Sequence, residues 1–254
     1  MIYKITDTTQ VSLLFGRWEE TLIWSCLQGM MGNVYADDLR HPTAAMAVLG
    51  DFTFFAGKPD RELASYNPDP LARNFRILVP QNRRWETVIT QIYGEKASIV
   101  SRYATKKEPD VFDRVKLEKA AASLPKPYRL SMIDEPLFRM CRANPWSADL
   151  VSQFPDYQTY RKLGIGAVLC QENQIISGAS SYARYRDGIE IEIDTREDCR
   201  RKGFAYICGA KLISECLKRN LYPSWDAHNK ASIALAEKLG YHYSHTYRAI
   251  EIRE

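Results

Sequence analysis

The sequence predicts an α/β chain in two parts: a smaller α/β domain over residues 1–124 and a mixed, strand-rich α/β domain over residues 125–254. Three observations predict it. The 254 residues, 45% hydrophobic and 26% charged, exceed one average domain of roughly 150 residues and suffice for a packed core. The run Ser123-Leu124-Pro125-Lys126-Pro127 places two prolines in three residues, which stops a helix and favours extended backbone. Beyond it, short alternating strands give way to two helices interleaved with strands.

In the first half, apolar residues at Leu13, Leu14, Trp18, Leu22, Ile23, Cys26 and Leu27 have helical spacing, so Val11–Met31 is expected as a helix ending at Gly32-Asn33. Strands are expected at Ala44–Leu49, Phe52–Ala56 and Phe75–Val79, a helix at Arg84–Tyr93, and a strand at Ser98–Tyr103. Glu108–Ala122 reads as a charged helix leading to the boundary. No nucleophile, metal-ligand cluster or glycine-rich loop stands out here, and His41, before a proline, reads as a loop residue without chemistry.

The second half opens with alternation at Tyr128, then helices at Glu135–Ala143 and Ala148–Leu163. Gly166–Cys170, Ile175–Tyr185 and Gly188–Thr195 follow as strands, and Phe204–Arg219 as a helix with Ala205, Cys208, Leu212, Ile213 and Cys216 on one face. A strand at Tyr222–Ala227, a helix at Ser232–Leu239 and a strand at Tyr243–Ile252 close the chain.

Composition excludes several classes. No apolar run approaches the ~20 residues of a membrane-crossing helix, and the N-terminus lacks an apolar stretch behind a basic start, so a cytoplasmic location is expected. The net charge of +4 comes from interspersed residues rather than one basic face, which argues against a nucleic-acid partner. Six cysteines without a CxxC pair, and four histidines without matching spacing, give no metal site and read as reduced thiols.

The chemistry concentrates at Ile189-Glu-Ile-Glu-Ile-Asp-Thr195, followed by the basic run Arg200-Arg-Lys-Gly203 that opens a helix at Phe204 and Ala205. Period-2 alternation puts Ile189, Ile191 and Ile193 on one face and Glu190, Glu192 and Asp194 on the other. Three cations at a helix start oppose the helix dipole, so a purely structural purpose is disfavoured. Free amides, the positive dipole end, Gly203 and the charges of Arg200, Arg201 and Lys202 suit a pyrophosphate. A GxxxxGK[ST] loop and a three-glycine dinucleotide fingerprint are both missing. About 24 residues on, Asn229 or Ser232 can cap a helix that Gly240 closes before Tyr241.

Together, Arg200–Ala205 and Asn229–Tyr241 resemble the Q/R-x-x-G-x-G/A loop and N-x-x-[AS]…L-G-[YF] helix of the GCN5-related N-acetyltransferases (GNAT). The likeness spans Gly188 to Tyr241 and, in strand order, reaches back to about Tyr128. Leu221–Asn229 and the long N-terminal extension look most like the subgroup containing the zwittermicin-resistance type acetyltransferases. The resemblance implies the GNAT fold: a mixed, mostly antiparallel sheet whose parallel strands Ile189–Thr195 and Tyr222–Ala227 splay apart. It implies acetyl-CoA as cosubstrate, without metal, with the amides of Arg201, Lys202, Gly203, Phe204 and Ala205 on the pyrophosphate. Ile193 and Thr195 would bond the pantetheine arm, an amide near Ile193 would polarise the thioester carbonyl, and Asn229 and Ser232 would contribute hydrogen bonds.

An ammonium must lose a proton before it can attack, and the family often uses a glutamate of this strand. Glu192 is the leading candidate, Glu190 the next, with Asp226 as a third carboxylate for a cationic acceptor. The family's tyrosine four residues before the closing glycine is Ala236 here, which leaves the acid role open, with Tyr241 and Tyr243 as substitutes. His228, His242 and His245 lack a Ser or Cys partner at an interpretable spacing, Trp225 reads as packing, and Cys199 as a passive neighbour of the basic loop.

The expected activity is acetyl transfer to a primary amine of a small molecule in a ternary complex. Aminopolyol antibiotics, polyamines, amino sugars and amino acids all remain open as acceptors. The alternative is a non-catalytic CoA-binding or protein-interaction module of the same fold. The N-terminal half reads as a degenerate copy, with the glycine-free Pro80–Trp85 where a phosphate loop would stand, serving the acceptor pocket or a homodimer contact.

Overall fold

The computed structural model of this chain describes residues 1–68, 75–122 and 124–253, so Ser123 of the expected boundary lies outside it. The backbone forms two compact units, Met1–Arg102 with Thr246–Glu254, and Tyr103–His245.

The first unit contains β1 (Tyr3–Ile5), α1 (Thr9–Phe15), α2 (Thr21–Leu27), β2 (Asn33–Ala36), β3 (Ala44–Leu49), β4 (Phe52–Gly57), α3 (Arg61–Ser65), β5 (Phe75–Pro80), α4 (Arg83–Tyr93) and most of β6 (Ala97–Thr105). The single helix expected over Val11–Met31 is two helices, because Gly16 adopts a left-handed φ of 59° and ends the first. Strands β1 to β4 are successive antiparallel neighbours, whereas β4 and β5 run parallel through four pairs, from Phe52↔Ile77 to Phe55↔Pro80. This parallel pair is sealed at its end. The Gln81 amide donates to the Phe55 carbonyl at 3.0 Å, the Gly57 amide donates to Gln81 Oε1 at 3.0 Å, and Trp85 Nε1 donates to the Gly57 carbonyl at 3.0 Å.

The second unit contains α5 (Arg114–Ala122), β7 (Tyr128–Met132), α6 (Glu135–Ala143), α7 (Tyr157–Leu163), β8 (Gly166–Gln171), β9 (Gln174–Tyr185), β10 (Gly188–Thr195), α8 (Phe204–Lys218), β11 (Tyr222–Ser224), β12 (Asp226–Ala227), α9 (Lys230–Leu239) and the start of β13 (Tyr243–Arg253). Its sheet runs β11-β10-β9-β8-β7, antiparallel except for the parallel β10–β11 pair. Short 3-10 turns at Ala148–Leu150 and Glu197–Cys199 replace part of the helix expected from Ala148 and lead into the basic loop.

The units divide at Arg102–Tyr103, not at 124–125 as the prolines suggest. Phe112 and Leu117, at 8% and 1% exposure, belong to the second unit's core, where α5 packs against α8. The chain's end, Ile250–Arg253, pairs with Phe75–Leu78 of β5 and so completes the first unit's sheet. A proline pair breaks a helix locally, but the division follows the long-range pairing.

Apart from α5 and β12 of the second unit, both units share one order: strand, two helices, three antiparallel strands, helix, parallel strand, helix. That order corrects one expectation. Pro80–Trp85 follows the parallel strand β5, and Asn82 caps α4 by accepting from the Arg84 and Trp85 amides. The corresponding segment is thus the one at Asn229, which caps α9. The loop that follows β4 is Lys58-Pro-Asp60, where Asp60 Oδ1 accepts from the Leu63 amide at 2.6 Å. A carboxylate on that short helix's amides leaves no place for an anion.

In the second unit, Cys208, Leu212, Ile213 and Cys216 of α8 are fully buried against the sheet face that carries Ile189 and Ile191. Burial of Leu212 and of Ile213 contributes about 1.5–3 kcal/mol each. Gly209 lets the helix approach closely, since a Cβ there would sit 2.8 Å from Leu239 Cδ1 and 3.3 Å from Ile193 Cδ1.

Candidate active site

The site grows from an interruption in a sheet. β10 and β11 pair over only three positions, Gly188↔Tyr222, Ile189↔Pro223 and Glu190↔Ser224. The strand expected over Tyr222–Ala227 then breaks at Trp225, and Asp226 and Ala227 pair instead with Ala104 and Tyr103 of β6. From Ile191 to Thr195, β10 keeps its antiparallel partner β9 on one edge, and among the described residues no strand covers the other.

Which backbone groups face that open edge follows from the ladder. Arg196 donates its amide to the Ile176 carbonyl of β9. In an antiparallel ladder alternate residues point to the same neighbour, so Asp194 and Glu192 also face β9, and Ile191, Ile193 and Thr195 face the gap. The sequence singled out Ile193 and Thr195. Thr195 is also tied in: its hydroxyl lies 2.8 Å from Ser177 Oγ, and its carbonyl accepts from Arg200 Nε at 3.3 Å.

The basic loop lies where β10 hands over to α8. Arg200, Arg201, Lys202 and Gly203 are exposed, Phe204 is buried and Ala205 half-buried. Arg201 and Gly203 adopt left-handed φ values of 60° and 84°. A left-handed non-glycine residue costs about 1–3 kcal/mol and persists where the surroundings impose it. Such turns let successive amides converge on one anion. Gly203 is the N-cap of the 15-residue α8 and supplies no side-chain cap, and the amides of Gly203, Phe204 and Ala205 have no main-chain acceptor among the described residues. The helices α4, α6, α7 and α9 each have a capping Asn or Asp. An uncapped helix end with three cations beside it suits a diphosphate.

Two further residues are partly committed within the protein. Asn229 Oδ1 accepts from the Ser232 amide at 3.0 Å, which is a helix cap, and Ser232 Oγ accepts from Trp225 Nε1 at 3.1 Å. Trp225 itself is packing, 5.6 Å from the Tyr241 ring. The Tyr241 hydroxyl is buried and donates to the Pro223 carbonyl at 2.5 Å, and burial raises its pKa further, so it is a poor proton donor. Ala236 is fully buried. Cys199 is 4% exposed. His242 pairs with Glu108 at 2.7 Å on the surface.

Three carboxylates share the β10 face opposite the isoleucines. Glu190 is buried and accepts the Asp226 amide at 2.7 Å; Glu192 and Asp194 are half-buried. Asp194 is the one the sequence placed on this face without a role. Burial pushes its carboxyl up to about 6, with the charge of Asp149, from the 3-10 turn Ala148–Leu150, adding to the shift and Arg200 opposing it. The alternation could have drawn attention to Asp194, but Asp149 is 45 residues away in sequence and only the fold brings them together.

This shift has a consequence for stability. Below the ordinary value of 3.8 the carboxyl is protonated folded or unfolded and costs nothing; above about 6 the folded protein carries the charge at full cost. A shift of this size caps that cost at about 3 kcal/mol, less for a half-buried group. Asp194→Asn is therefore expected to raise Tm relative to the wild type near pH 8, with the gain fading as pH falls from about 6 to about 4. Melting curves at both ends check it, and an equal difference at both would contradict it.

Among the described residues no group of His, Cys, Asp and Glu could hold a metal ion, and no helix is long and apolar enough to cross a membrane.

The splayed strand pair, left-handed loop and uncapped helix together define an acetyltransferase of the GNAT class. The model of the family described as GNAT acetyltransferase matches residues 12–250, so the chain belongs to that family. It is 28% identical over 231 residues to the uncharacterized N-acetyltransferase YdfB of Bacillus subtilis, covering 87% of this chain and 86% of that protein. The crystal structure of a GCN5-related N-acetyltransferase-like protein from Streptococcus suis superposes with a TM-score of 0.92 at 45% identity, over 97% of this chain and 98% of that one. A tandem GNAT protein from the clavulanic acid biosynthesis pathway shares the fold, with a TM-score of 0.55 at 7% identity over 100% of this chain and 98% of that one.

Proposed function

We propose that the chain transfers the acetyl group of acetyl-CoA to a primary amine of a small molecule, and that the second unit carries the reaction. The observation that carries this reading is the open edge of β10 ending in a left-handed, uncapped loop, since an extended arm followed by a diphosphate has that shape. The amides of Arg201 to Ala205 would hold the diphosphate, assisted by the Arg200, Arg201 and Lys202 charges. Ile193 and Thr195 would bond the pantetheine arm, with Asn229 and Ser232 at the start of α9 as further hydrogen-bonding groups. Bound acetyl-CoA supplies the acetyl group as a thioester.

Glu192 accepts the proton of the acceptor ammonium, so that the nitrogen gains the lone pair it needs. Glu190 was the next candidate, but its carboxylate already takes a backbone amide. The first unit binds no acetyl-CoA, because β4 and β5 stay paired and Gln81, Trp85 and Asp60 occupy the groups that would meet it. Among acceptors, the likeness to the zwittermicin-resistance type subgroup favours an aminopolyol amine.

The test is thiol release from acetyl-CoA with a panel of aminopolyols, polyamines, amino sugars and amino acids, with products identified by mass. Turnover with at least one amine is expected. Thermal stabilisation by CoA without turnover across the panel would replace the enzyme with a CoA-binding module, for which the burial of Ala236 and Tyr241 speaks.

A further inference from the structure

We infer that Glu190 is a positioning residue that holds the two parallel strands apart, and that it is not the proton acceptor of the reaction; the inference rests on the site proposed above.

Four consecutive residues at the break are each fixed by a side chain from a different element. The Pro223 carbonyl accepts from the Tyr241 hydroxyl at 2.5 Å, and Ser224 Oγ lies 3.1 Å from the Tyr185 hydroxyl. The Trp225 carbonyl accepts from Thr105 Oγ1 at 2.7 Å, and the Asp226 amide donates to Glu190 Oε1 at 2.7 Å. Only the last of these comes from β10, the strand that β11 leaves.

Position explains the choice of residue. Glu190 stands opposite Ser224 in the final parallel pair, so its side chain begins where the main-chain ladder stops. Two residues later the chain has turned to pair with β6, and the Asp226 amide points back toward β10, beyond the end of the β10–β11 ladder. A glutamate spans that gap, and its oxygen stands in for the missing carbonyl. The residue is 8% exposed, so its bond is made away from bulk water, where an unsatisfied amide would be costly. The strut sets the width of the gap before any ligand arrives, which lowers the cost of binding.

The test compares Glu190→Gln with Glu190→Ala. Glutamine keeps an oxygen that accepts from the Asp226 amide and cannot serve as a base. Glu190→Gln is expected to retain kcat within about threefold, with the acidic limb of its pH profile in place, because no proton is taken at this position. Glu190→Ala is expected to weaken CoA about tenfold or more by titration calorimetry, as befits a buried amide left without its acceptor. It should also speed hydrogen exchange at the Asp226 amide. A loss of kcat of about 100-fold in Glu190→Gln with unchanged CoA affinity would make Glu190 the base and overturn the inference. So would a Glu190→Ala protein with wild-type CoA affinity and a protected Asp226 amide. Should Glu190→Ala fail to fold, Thr105→Val loosens the same junction and is expected to weaken CoA severalfold. Exchange at Asp226 is read without ligand, so a wild type that binds CoA and turns over no amine counts against the proposed function and leaves the strut standing.

Discussion

Gly203→Asp is expected to abolish CoA binding while leaving the protein folded. The residue occupies the N-terminal boundary of α8 without capping it, and its amide with those of Phe204 and Ala205 forms the end of the loop proposed for the diphosphate. A Cβ there would meet no atom within 4 Å, so the substitution meets no steric barrier in the fold. The left-handed φ of 84° is unfavourable for most residues by about 1–2 kcal/mol, and Asp is among those that tolerate it. A Tm shift of at most about 4 °C is expected in a chain this long. Binding suffers differently. A carboxylate beside the amides competes for them and repels a dianion, removing charge-assisted bonds of about 1.5–3 kcal/mol each, hence a rise in Kd of about 100-fold or more. Calorimetric titration with CoA checks it, and an affinity near wild type would mean the diphosphate lies elsewhere.

The second large effect concerns the proton. Glu192→Gln preserves the shape of the side chain and removes its capacity to accept a proton. The expected loss in kcat is about 10²–10⁴-fold, with little change in the KM for acetyl-CoA, because the backbone edge at Ile193 and Thr195 is untouched. Glu192 lies one residue before Ile193, on the face opposite the α8 core. Steady-state kinetics at several pH values read the effect. If Glu192→Gln keeps its rate while Asp194→Asn loses it, the proton acceptor lies two residues further along the same face.

How much of this was legible in the sequence depends on the range of the interactions involved. The alternation of Ile189 to Asp194 correctly separated the core face from the carboxylate face, because period-2 geometry is local. The asparagine cap at Asn229 and the glycine at 203 were likewise readable from the start of their helices. The break at Trp225 was not. It arises because Asp226 and Ala227 pair with Ala104 and Tyr103, more than a hundred residues away. The bond between Glu190 and the Asp226 amide, which turns a catalytic candidate into a strut, depends on that break. The neighbourhood of Asp149 and Asp194 is hidden for the same reason.

The N-terminal half shows the same limit. The order of its elements is readable in the sequence, but Pro80–Trp85 stands one helix later than the segment that follows the third antiparallel strand. Without strand pairing, the glycine-free Pro80–Trp85 and the short Lys58–Asp60 turn could not be ranked. The parallel pairing of β4 with β5 assigns them.

Hydrogen exchange of the wild-type chain with and without CoA, with Gly203→Asp as the control, tests the central claim most directly. Slowed exchange is predicted at Arg201–Ala205 and at the Ile193 and Thr195 amides, absent in the control, with Gly57–Leu63 and Gln81–Trp85 unchanged. Protection confined to the first unit, or spread elsewhere while Arg201–Ala205 exchanges freely, would contradict it.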